Sequence, residues 1–585
     1  MTVAKQMPSI LIGATFKPNT IPRHIHNAPP IFISLLQFPV KDRQLLSSAT
    51  DLPIQYPKMA DDFNLASAVW LHSRVTPHAT AIAYKNQTLS YEQYACRARD
   101  LAKRLARSPD WHERPVKPLK VGILASRGID ACVAMMGACW AGAAYVPIGL
   151  KLPQDRILAI LAACELTAII ADSEGAKLLT DAVLAACPPT LIRIDQMISE
   201  VDDHAASSGH IGLSLQGKLS EPVRVAADDL AYVIFTSGTT GAPKGVMISA
   251  GSAQSYVKTI VKTLGLQATD RALETCELSF DFSVHNMFAT WQAGAALHIL
   301  PATLVMNAVK FARNEQLTVW NSVPSLAGML QQIKALQHGC LPELRITVFG
   351  GEALPQTAAL QWQDAAPNAK IFNLYGPTEA TVFCLGQVFS CDAAITSGRD
   401  FVAIGTPLGG CQAIVVDSEG AELPDGMTGE LAIGGVQLAQ GYLGQPQLTT
   451  QKFPVLNGKR WYLTGDFAVR DLSGVFHCLG RIDNQIKVSG YRIELEEIDA
   501  ALRQVSGRDL VGTVAWPIAD GAPKGIVGFI AGSPIDHAQL TMALKQKLPP
   551  YMVPNRVIAL EIIPLNSSGK VDRRALAELL KIEST

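Results

Sequence analysis

The sequence predicts an α/β protein with more than one domain: a large N-terminal domain of layered sheets covered by helices, then a small α+β C-terminal domain. The chain has 585 residues, and a single hydrophobic core rarely organises a chain of this length. Between residues 64 and 172, apolar strand patterns alternate with amphipathic helix patterns, which is typical of a mainly parallel sheet with helices on both faces. After residue 480 the pattern changes to short strands followed by a helix, which indicates a separate unit.

These changes divide the chain into three segments. Residues 1–58 are rich in proline and weakly periodic, so we expect a poorly ordered extension. Patterned sequence begins just after Met59, and we expect the core of the protein to occupy residues 59–482. Residues 483–585 would then form the small C-terminal domain.

Composition excludes several classes of partner. The chain is 48% hydrophobic and 17% charged with a net charge of −1, so its overall charge favours neither nucleic acid nor an acidic membrane surface. Eleven cysteines occur without a CxxC pair, which predicts reduced thiols and a cytoplasmic location. The longest uncharged run, Ala131–Leu150, is dominated by Ala and Gly and contains Pro147. It predicts a buried helix followed by a strand, and no membrane span.

The alternation in the first part of the chain can be assigned element by element. Apolar residues at helical spacing predict a helix over 65–74. Ser90 is a predicted N-cap, because Gln93 stands at the capping-box position three residues later. The other elements predicted here are strands over 81–84, 121–125, 145–147 and 168–171, and helices over 129–143 and 154–164.

The stretch Tyr232–Val246, YVIFTSGTTGAPKGV, predicts a strand that leads into a phosphate-binding loop. The apolar start has the β-branched and aromatic character of a buried strand. Small residues let phosphates approach the main chain, hydroxyl groups donate hydrogen bonds, and Lys244 adds a cation. The spacing is not that of a Walker loop, since Lys244 precedes Gly245 and not Ser or Thr. Taken alone, this composition would also fit a surface loop.

Several polar residues downstream stand in unusual settings. Asp281 lies between two phenylalanines and is either a helix N-cap or a specific counter-ion. The segment 430–441 predicts a β-hairpin region, and the segment 461–471 predicts two strands with Asp466 at the turn between them. A helix is expected from about Leu495. Lys570 lies in a Ser/Gly turn, where a lysine is usually only solvated.

Together these stretches resemble the adenylating superfamily, which includes acyl-CoA synthetases, nonribosomal peptide adenylation domains and firefly luciferase. The resemblance covers residues 64 to 580, and SGTTGAPKG, NLYGPTEA and GRIDNQIKVSGYRIELEEID carry much of it. It is closest to the amino-acid-adenylating branch, including stand-alone enzymes that load separate carrier proteins. The resemblance implies a mobile C-terminal domain hinged at Asp483, with ATP and Mg²⁺ required for the reaction.

The resemblance also implies roles for individual residues around ATP. Lys570 would be the catalytic lysine, and Glu379 would hold the metal ion. Asp466 would accept hydrogen bonds from the ribose hydroxyls with help from Arg481. Tyr375 would pack on adenine, and Thr378 would reach the α-phosphate. The full ATP-binding set implied by the resemblance is Thr236, Ser237, Gly238, Thr239, Thr240, Gly241, Lys244, Gly351, Glu352, Asn373, Tyr375, Gly376, Thr378, Asp466 and Arg481.

In the amino-acid branch an aspartate in this FDxSV context anchors the α-ammonium group of the substrate, which gives Asp281 a function. The rest of the implied substrate pocket holds no second carboxylate, arginine or lysine, so we expect a neutral amino acid of small to medium size. His285 could instead belong to the core. The other pocket residues implied by alignment are Phe282, His285, Ser325, Val348, Gly350, Leu374, Val382 and Phe383.

Three functions follow from these expectations. The first is activation of an amino acid and its transfer to the phosphopantetheine thiol of a separate carrier protein, because no carrier GGxS serine follows the C-terminal domain. The second is an acyl- or aryl-CoA ligase. The third is a non-catalytic scaffold or nucleotide-binding protein, which the full set of Thr240, Glu379, Asp466 and Lys570 disfavours.

Overall fold

A computed structural model describes residues 62–108, 111, 118–200, 219–238, 243–519, 522–533, 536–566 and 571–583. The chain divides into two units, Met1–Met59 and Ala60–Thr585. The first unit lies outside the described residues, as does the expectation for residues 1–58. The second unit contains both the expected core and the expected C-terminal domain, whose boundaries at 59–482 and 483–585 stay a prediction.

The first sheet contains the strand that leads into the phosphate loop. Its central strands are parallel and buried on both faces, while the loop itself joins two antiparallel strands, so that Thr236 pairs with Lys244. Within the described residues the order of this seven-stranded sheet is Gly441–Tyr442, Lys244–Ser249, Leu230–Thr236, Ala144–Pro147, Lys120–Leu124, Ala168–Ala171, Thr190–Arg193.

The second sheet brings the ends of several central strands to the same edge. Six neighbouring strands run parallel, and antiparallel strands close both sides. Ligands bind at the carboxyl ends of parallel strands, so this edge is the expected site. Within the described residues the nine-stranded order is Thr406–Pro407, Leu385–Val388, Lys370–Tyr375, Ile346–Gly350, Val319–Ser322, Arg271–Glu274, Ala296–Ile299, Thr80–Tyr84, Gln87–Ser90.

The third sheet is antiparallel and corrects two expectations. Thr428–Gly435 pairs with Cys411–Val416 and Lys459–Arg470, whereas Gly441–Tyr442 joins the first sheet, so the predicted hairpin over 430–441 is wrong.

Asp466 is not at a turn, because Lys459–Arg470 is one continuous strand. The glycine before Asp466 has φ +73° and a register shift lies in this part of the ladder, so the strand bulges where the sequence pattern indicated a turn. The remaining strands of this sheet are Phe476–Arg481 and Val455–Leu456.

The C-terminal region is a small α+β unit. It begins with a hairpin of two strands, Gln485–Val488 and Tyr491–Glu494, hereafter the 485–494 hairpin. The predicted helix follows as Leu495–Ser506. A three-stranded sheet comes next, with the order Val511–Ala515, Ile526–Ala531, Arg556–Leu560, and the other helices are His537–Lys547 and Arg573–Glu583.

The predicted helices form where their caps and apolar spacing placed them. Ser90 and Gln93 form a complete capping box at the start of Tyr91–Ala106. The uncharged run gives the buried helix Ile129–Trp140 followed by a strand, as predicted. Among the described residues, none of the helices combines the length and hydropathy needed to cross a membrane. The other main α-helices of the larger region are Ser67–Val75, Gln154–Cys164, Asp181–Ala186, Ala250–Leu264, Ala308–Asn314, Pro324–Gln332, Gln356–Ala365 and Pro446–Lys452.

The second sheet also buries a carboxyl group, Glu274, at the end of its strand. Burial raises the pKa of Glu274 to about 8, although a hydrogen bond from the Cys276 amide and one of 3.2 Å from the Asn286 side chain oppose the shift. The native state therefore holds this proton to higher pH than the unfolded state does. A stabilisation present below about pH 4.5 is lost as pH rises through about 8.

We therefore expect Glu274→Gln to remove part of the pH dependence of stability. Wild type should lose on the order of 3 kcal/mol of unfolding free energy relative to the variant between pH 5 and pH 8. Urea unfolding at both pH values measures this difference. Glu419→Gln, at an exposed turn, is the control. An equal pH dependence in wild type and Glu274→Gln would contradict a protonated Glu274.

Candidate active site

A cleft with an empty volume of about 1130 Å³, open solvent included, lies where the three sheets and the C-terminal region meet. It contains nine of the residues expected from the sequence, and the 485–494 hairpin closes one side of it. The expected residues that line it are Thr236, Ser237, Asp281, Gly351, Tyr375, Gly376, Thr378, Asp466 and Arg481; Gln485, Lys487, Gly490, Arg492 and Tyr551 of the C-terminal region line it too.

The start of the phosphate loop presents donors to the cleft. The Thr236 hydroxyl is buried and, among the described residues, has no hydrogen-bond partner. A buried hydroxyl without a partner is costly, and a phosphate oxygen would supply one. The Ser237 hydroxyl donates to the carbonyl oxygen of Arg492 over 2.9 Å. Gly238 is buried beside it, whereas Thr239, Thr240 and Gly241 lie outside the described residues.

Lys244 returns from the loop into a buried position. Its Nζ lies 3.7 Å from a carboxylate oxygen of Glu494 and 5.8 Å from the centre of the Tyr442 ring. Burial and the nearby Arg492 lower the pKa of Lys244, although Glu379 and Glu494 oppose the shift. A buried ammonium with a distant partner is well suited to a stronger anion such as a phosphate.

Glu379, the expected metal ligand, is fully buried and ionised. Burial alone would raise its pKa, but Arg492 and Lys244 outweigh burial and lower the pKa to about 2. One carboxylate oxygen lies 2.8 Å from the Arg492 guanidinium, and the other accepts a hydrogen bond of 2.8 Å from the Tyr442 hydroxyl. Arg492 thus neutralises Glu379 in this arrangement.

Glu379 would fit the role of a Mg²⁺ ligand if the Arg492 guanidinium moved away from it. An ionised carboxylate is the protein ligand that Mg²⁺ prefers, and Mg²⁺ usually takes one or two carboxylates together with phosphates and water. Within the described part of the chain, no three His, Cys, Asp or Glu side chains form a metal-binding group. The remaining ligands would therefore come from ATP and water.

Tyr375, Asp466 and Arg481 form one hydrogen-bonded group on the opposite wall. The Tyr375 hydroxyl donates to one carboxylate oxygen of Asp466, and Arg481 donates to the other over 2.9 Å. Each carboxylate oxygen can accept more than one hydrogen bond, so Asp466 keeps acceptor capacity for ribose hydroxyls. Arg481 also forms a two-point ion pair with Asp483, the expected hinge residue, whose pKa it lowers against the effect of burial.

Two expected ATP-binding residues, Asn373 and Glu352, do not line the cleft and instead have structural partners. Asn373 donates from its amide to the carbonyl oxygens of Val402 and Ala403, at 3.2 and 2.9 Å, and so supports that loop. Glu352 accepts from the backbone amides of Ser325 and Gly490, at 2.9 and 2.6 Å. Glu352 therefore ties the 485–494 hairpin to the second sheet, and contact of either residue with ATP stays a prediction.

The carboxylate of Asp281 faces the cleft and does not cap a helix. Asp281 precedes the helical turn Phe282–Val284, but its side chain makes no cap hydrogen bond in the described structure. Burial raises the pKa of Asp281 to about 6, and the charge of Glu379 adds to this shift, whereas a hydrogen bond with the Thr378 side chain and the charges of Lys487 and Arg492 oppose it. Because Asp281 makes no cap hydrogen bond and lies in a cleft with these two cations, it fits a counter-ion, the second of the two sequence-based alternatives.

The remaining pocket residues lie behind Asp281. The rings of Phe282, His285 and Phe383 contact one another, with centroids 5.1 to 5.6 Å apart. Burial lowers the pKa of His285 to about 3, so it is neutral at ordinary pH. Ser325 is half-buried at the start of its helix. Like the three rings, Val348, Gly350, Leu374 and Val382 are buried and line no part of the cleft.

Sequence reasoning assigned no role to Arg492 and Glu494. Both belong to the 485–494 hairpin, and their side chains reach Glu379 and Lys244 from across the cleft. Residues two apart on a strand point to the same face. The sequence did contain one signal: Arg492 and Glu494 are two residues apart in a predicted strand, so both side chains were expected on the same face, within a stretch that resembles the adenylating superfamily.

The chain matches the AMP-binding enzyme family over residues 69–443. This match spans more than half of the chain, including the phosphate loop, Asp281 and Glu379. The chain belongs to the AMP-binding enzyme family. Its members include nonribosomal peptide adenylation domains and stand-alone adenylation enzymes, so the enzyme is an adenylate-forming ligase that uses ATP.

The chain is similar to two relatives of very different length, and it covers a different share of each. It is 34% identical over 539 residues to the delta-poly-L-ornithine synthetase of Acinetobacter baumannii, covering 89% of this chain but only 37% of that protein. It is 31% identical over 514 residues to the D-alanine–D-alanyl carrier protein ligase of Bacillus cytotoxicus, covering 86% of this chain and 96% of that protein. The enzyme thus spans little more than a third of the first relative and nearly all of the second.

A solved structure shares the fold of the enzyme over most of its length. It is the Vibrio cholerae adenylation domain AlmE in complex with glycyl-adenosine-5'-phosphate. The TM-score is 0.76 and the sequences are 28% identical, with 91% of this chain and 99% of that chain covered. The predicted fold class, a large α/β domain followed by a small α+β domain, is confirmed.

Proposed function

We propose that the enzyme activates a neutral amino acid with ATP and then transfers it to the phosphopantetheine thiol of a separate carrier protein. The observation that carries this proposal is Asp281, whose uncapped carboxylate faces the cleft near Thr378. The ammonium group of an amino-acid substrate would give this carboxylate a direct ion-pair partner inside the cleft. Acids without an amino group would leave it with only the charges of Lys487 and Arg492.

In the first step, a carboxylate oxygen of the amino acid attacks the α-phosphorus of ATP. The bond between the α-phosphorus and the bridging oxygen breaks, and pyrophosphate leaves with its electron pair. Two anions must approach each other, so positive charge at the reacting atoms lowers the barrier. Lys570, which lies outside the described residues and whose role stays a prediction, would supply such a charge, worth on the order of 4 kcal/mol at ~4 Å and an effective dielectric constant near 20.

The described residues would hold ATP in three places. Thr236, Ser237 and Lys244 would receive the phosphates, and Asp466 with Arg481 would hold the ribose beside Tyr375. Glu379 would hold Mg²⁺, which neutralises phosphate charge when bound. Because Glu379 is ionised at neutral pH, it needs no proton release to bind the cation.

In the second step, the carrier thiol attacks the carbonyl carbon of the aminoacyl-adenylate, AMP leaves, and the thiol proton passes to solvent. The carrier in trans is supported by the relative whose name includes a carrier protein and of which this chain covers 96%. The glycyl-adenylate in AlmE supports an amino-acid substrate. All eleven cysteines are free, which supports a cytoplasmic location.

The test is pyrophosphate exchange into ATP, driven by a panel of L-, D- and β-amino acids and by fatty and aryl acids of matching size. We expect one or a few neutral amino acids to raise the exchange rate on the order of tenfold or more above the others. Exchange driven only by acids without an amino group would overturn the proposal in favour of an acyl- or aryl-CoA ligase. Acceptor assays with CoA and with a carrier protein separate these two outcomes in the second step.

A further inference from the structure

Three aromatic rings form a closed floor behind Asp281. Phe282 and Phe383 meet edge to face at 5.1 Å, His285 and Phe383 at 5.4 Å, and Phe282 and His285 at 5.6 Å. The exposed fraction is only 6% for Phe282, 1% for His285 and 2% for Phe383. Among the described residues that line the cleft, none of the three is present, whereas Asp281 is. Open space therefore ends close to the carboxylate that would hold the substrate ammonium.

The Phe383 ring cannot retreat toward the second sheet. A Cβ atom added to Gly350 would stand only 2.4 Å from Cζ and 2.5 Å from Cε1 of Phe383, so the ring already rests on the glycine backbone. The two residues before it, Thr381 and Val382, have φ of +55° and +68°, which is uncommon for β-branched residues. This turn fixes the direction in which Phe383 leaves the backbone.

His285 is held in the floor by Tyr256, a residue of the helix Ala250–Leu264 that lies outside the pocket set. The Tyr256 hydroxyl lies 2.6 Å from Nδ1 of His285, and both side chains are buried. His285 is neutral, so this pair shares one hydrogen bond, in which the hydroxyl donates when the imidazole proton is on Nε2. His285 opens a five-residue π-helical segment, His285–Ala289, and such segments often re-aim side chains at functional sites.

We propose that this floor restricts the substrate to amino acids whose side chain is no larger than a methyl group, and that Tyr256 is a positioning residue that keeps His285 in the floor. The inference rests on the proposed function, since it concerns the same site. A branched side chain would have to displace a ring that contacts two other rings and, for Phe383, the backbone of Gly350. Interiors packed this closely resist such displacement.

The first arm of the test measures pyrophosphate exchange of wild type with glycine, alanine, valine, leucine and phenylalanine. We expect kcat/KM for glycine or alanine to exceed that for valine by on the order of 10- to 200-fold, the range found for small changes in side-chain size. His285→Ala should accept valine or leucine better than wild type does. A wild-type preference for leucine or phenylalanine would overturn the inference.

The second arm compares Tyr256→Phe with a matched control, Tyr94→Phe, which removes a buried hydroxyl that donates to the carbonyl oxygen of Cys132. Tyr256→Phe should raise the valine-to-alanine ratio of kcat/KM about three- to tenfold, because one buried hydrogen bond that fixes the floor is lost. Tyr94→Phe should lower thermal stability and leave the ratio within about twofold. A ratio unchanged in both variants would show that Tyr256 has only a structural role.

A third arm separates failure of the size limit from failure of the proposed function. Acetate, propionate, isovalerate and 3-phenylpropionate repeat the size series without an amino group. Exchange with these acids alone would overturn the proposed function, while a small-over-large order among them would still support the closed floor. A large-over-small order in either series would overturn the floor.

Discussion

Asp281→Asn is expected to reduce kcat/KM for the amino-acid substrate by on the order of 10²-fold to several thousandfold. The substitution keeps the shape of the side chain but removes the charge that would pair with the substrate ammonium. Leaving a buried charge without its partner costs on the order of 3–5 kcal/mol, which corresponds to this loss. Pyrophosphate exchange measures it, with Asp364→Asn, on an exposed stretch of helix, as the control.

We also expect wild type and Asp281→Asn to differ in how kcat/KM depends on pH. Burial raises the pKa of Asp281 to about 6, and only the ionised carboxylate attracts an ammonium group. In wild type, kcat/KM should therefore fall as pH decreases through about 6, and Asp281→Asn should lose this acidic limb. Full activity of the variant with an unchanged pH profile would show that Asp281 does not bind the substrate.

Lys570→Ala is expected to reduce exchange by on the order of 10²- to 10³-fold, since ~4 kcal/mol of electrostatic stabilisation would be lost at the reacting phosphate. KM for the amino acid should change little, because Asp281 and not Lys570 would hold the substrate ammonium. Exchange kinetics over both substrates separate kcat from KM. Lys581→Ala, at an exposed ion pair with Glu578, is the control. A Lys570→Ala enzyme as active as wild type would revive the non-catalytic alternative.

Local sequence signals predicted the elements whose determinants are local. The helix Gln154–Cys164 has the predicted ends. The capping box at Ser90 fixes the start of the helix Tyr91–Ala106. The segment 430–441 failed for the opposite reason. Its two strands pair with partners far away in the chain, and a local pattern does not record which distant strand completes a sheet.

The candidate site shows the same division. Asp281, Tyr375 and Asp466, to which the resemblance assigned roles at the site, all line the cleft. Arg492 pairs with Glu379 across 113 positions of sequence. No spacing rule predicts which cation meets which carboxylate at that distance. The contact of Tyr256 with His285 was equally hidden, because a tyrosine on an apolar helix face has the same pattern as any core residue.

If Glu379 holds Mg²⁺ and Lys244 holds a phosphate, the ion pairs of the 485–494 hairpin would compete with the nucleotide. Arg492 occupies that carboxylate, and Glu494 lies beside that lysine. The apparent affinity for Mg–ATP would then equal the intrinsic affinity multiplied by the fraction of molecules in which these contacts are open. Nucleotide affinity would thus depend partly on the stability of a contact between two parts of the same chain.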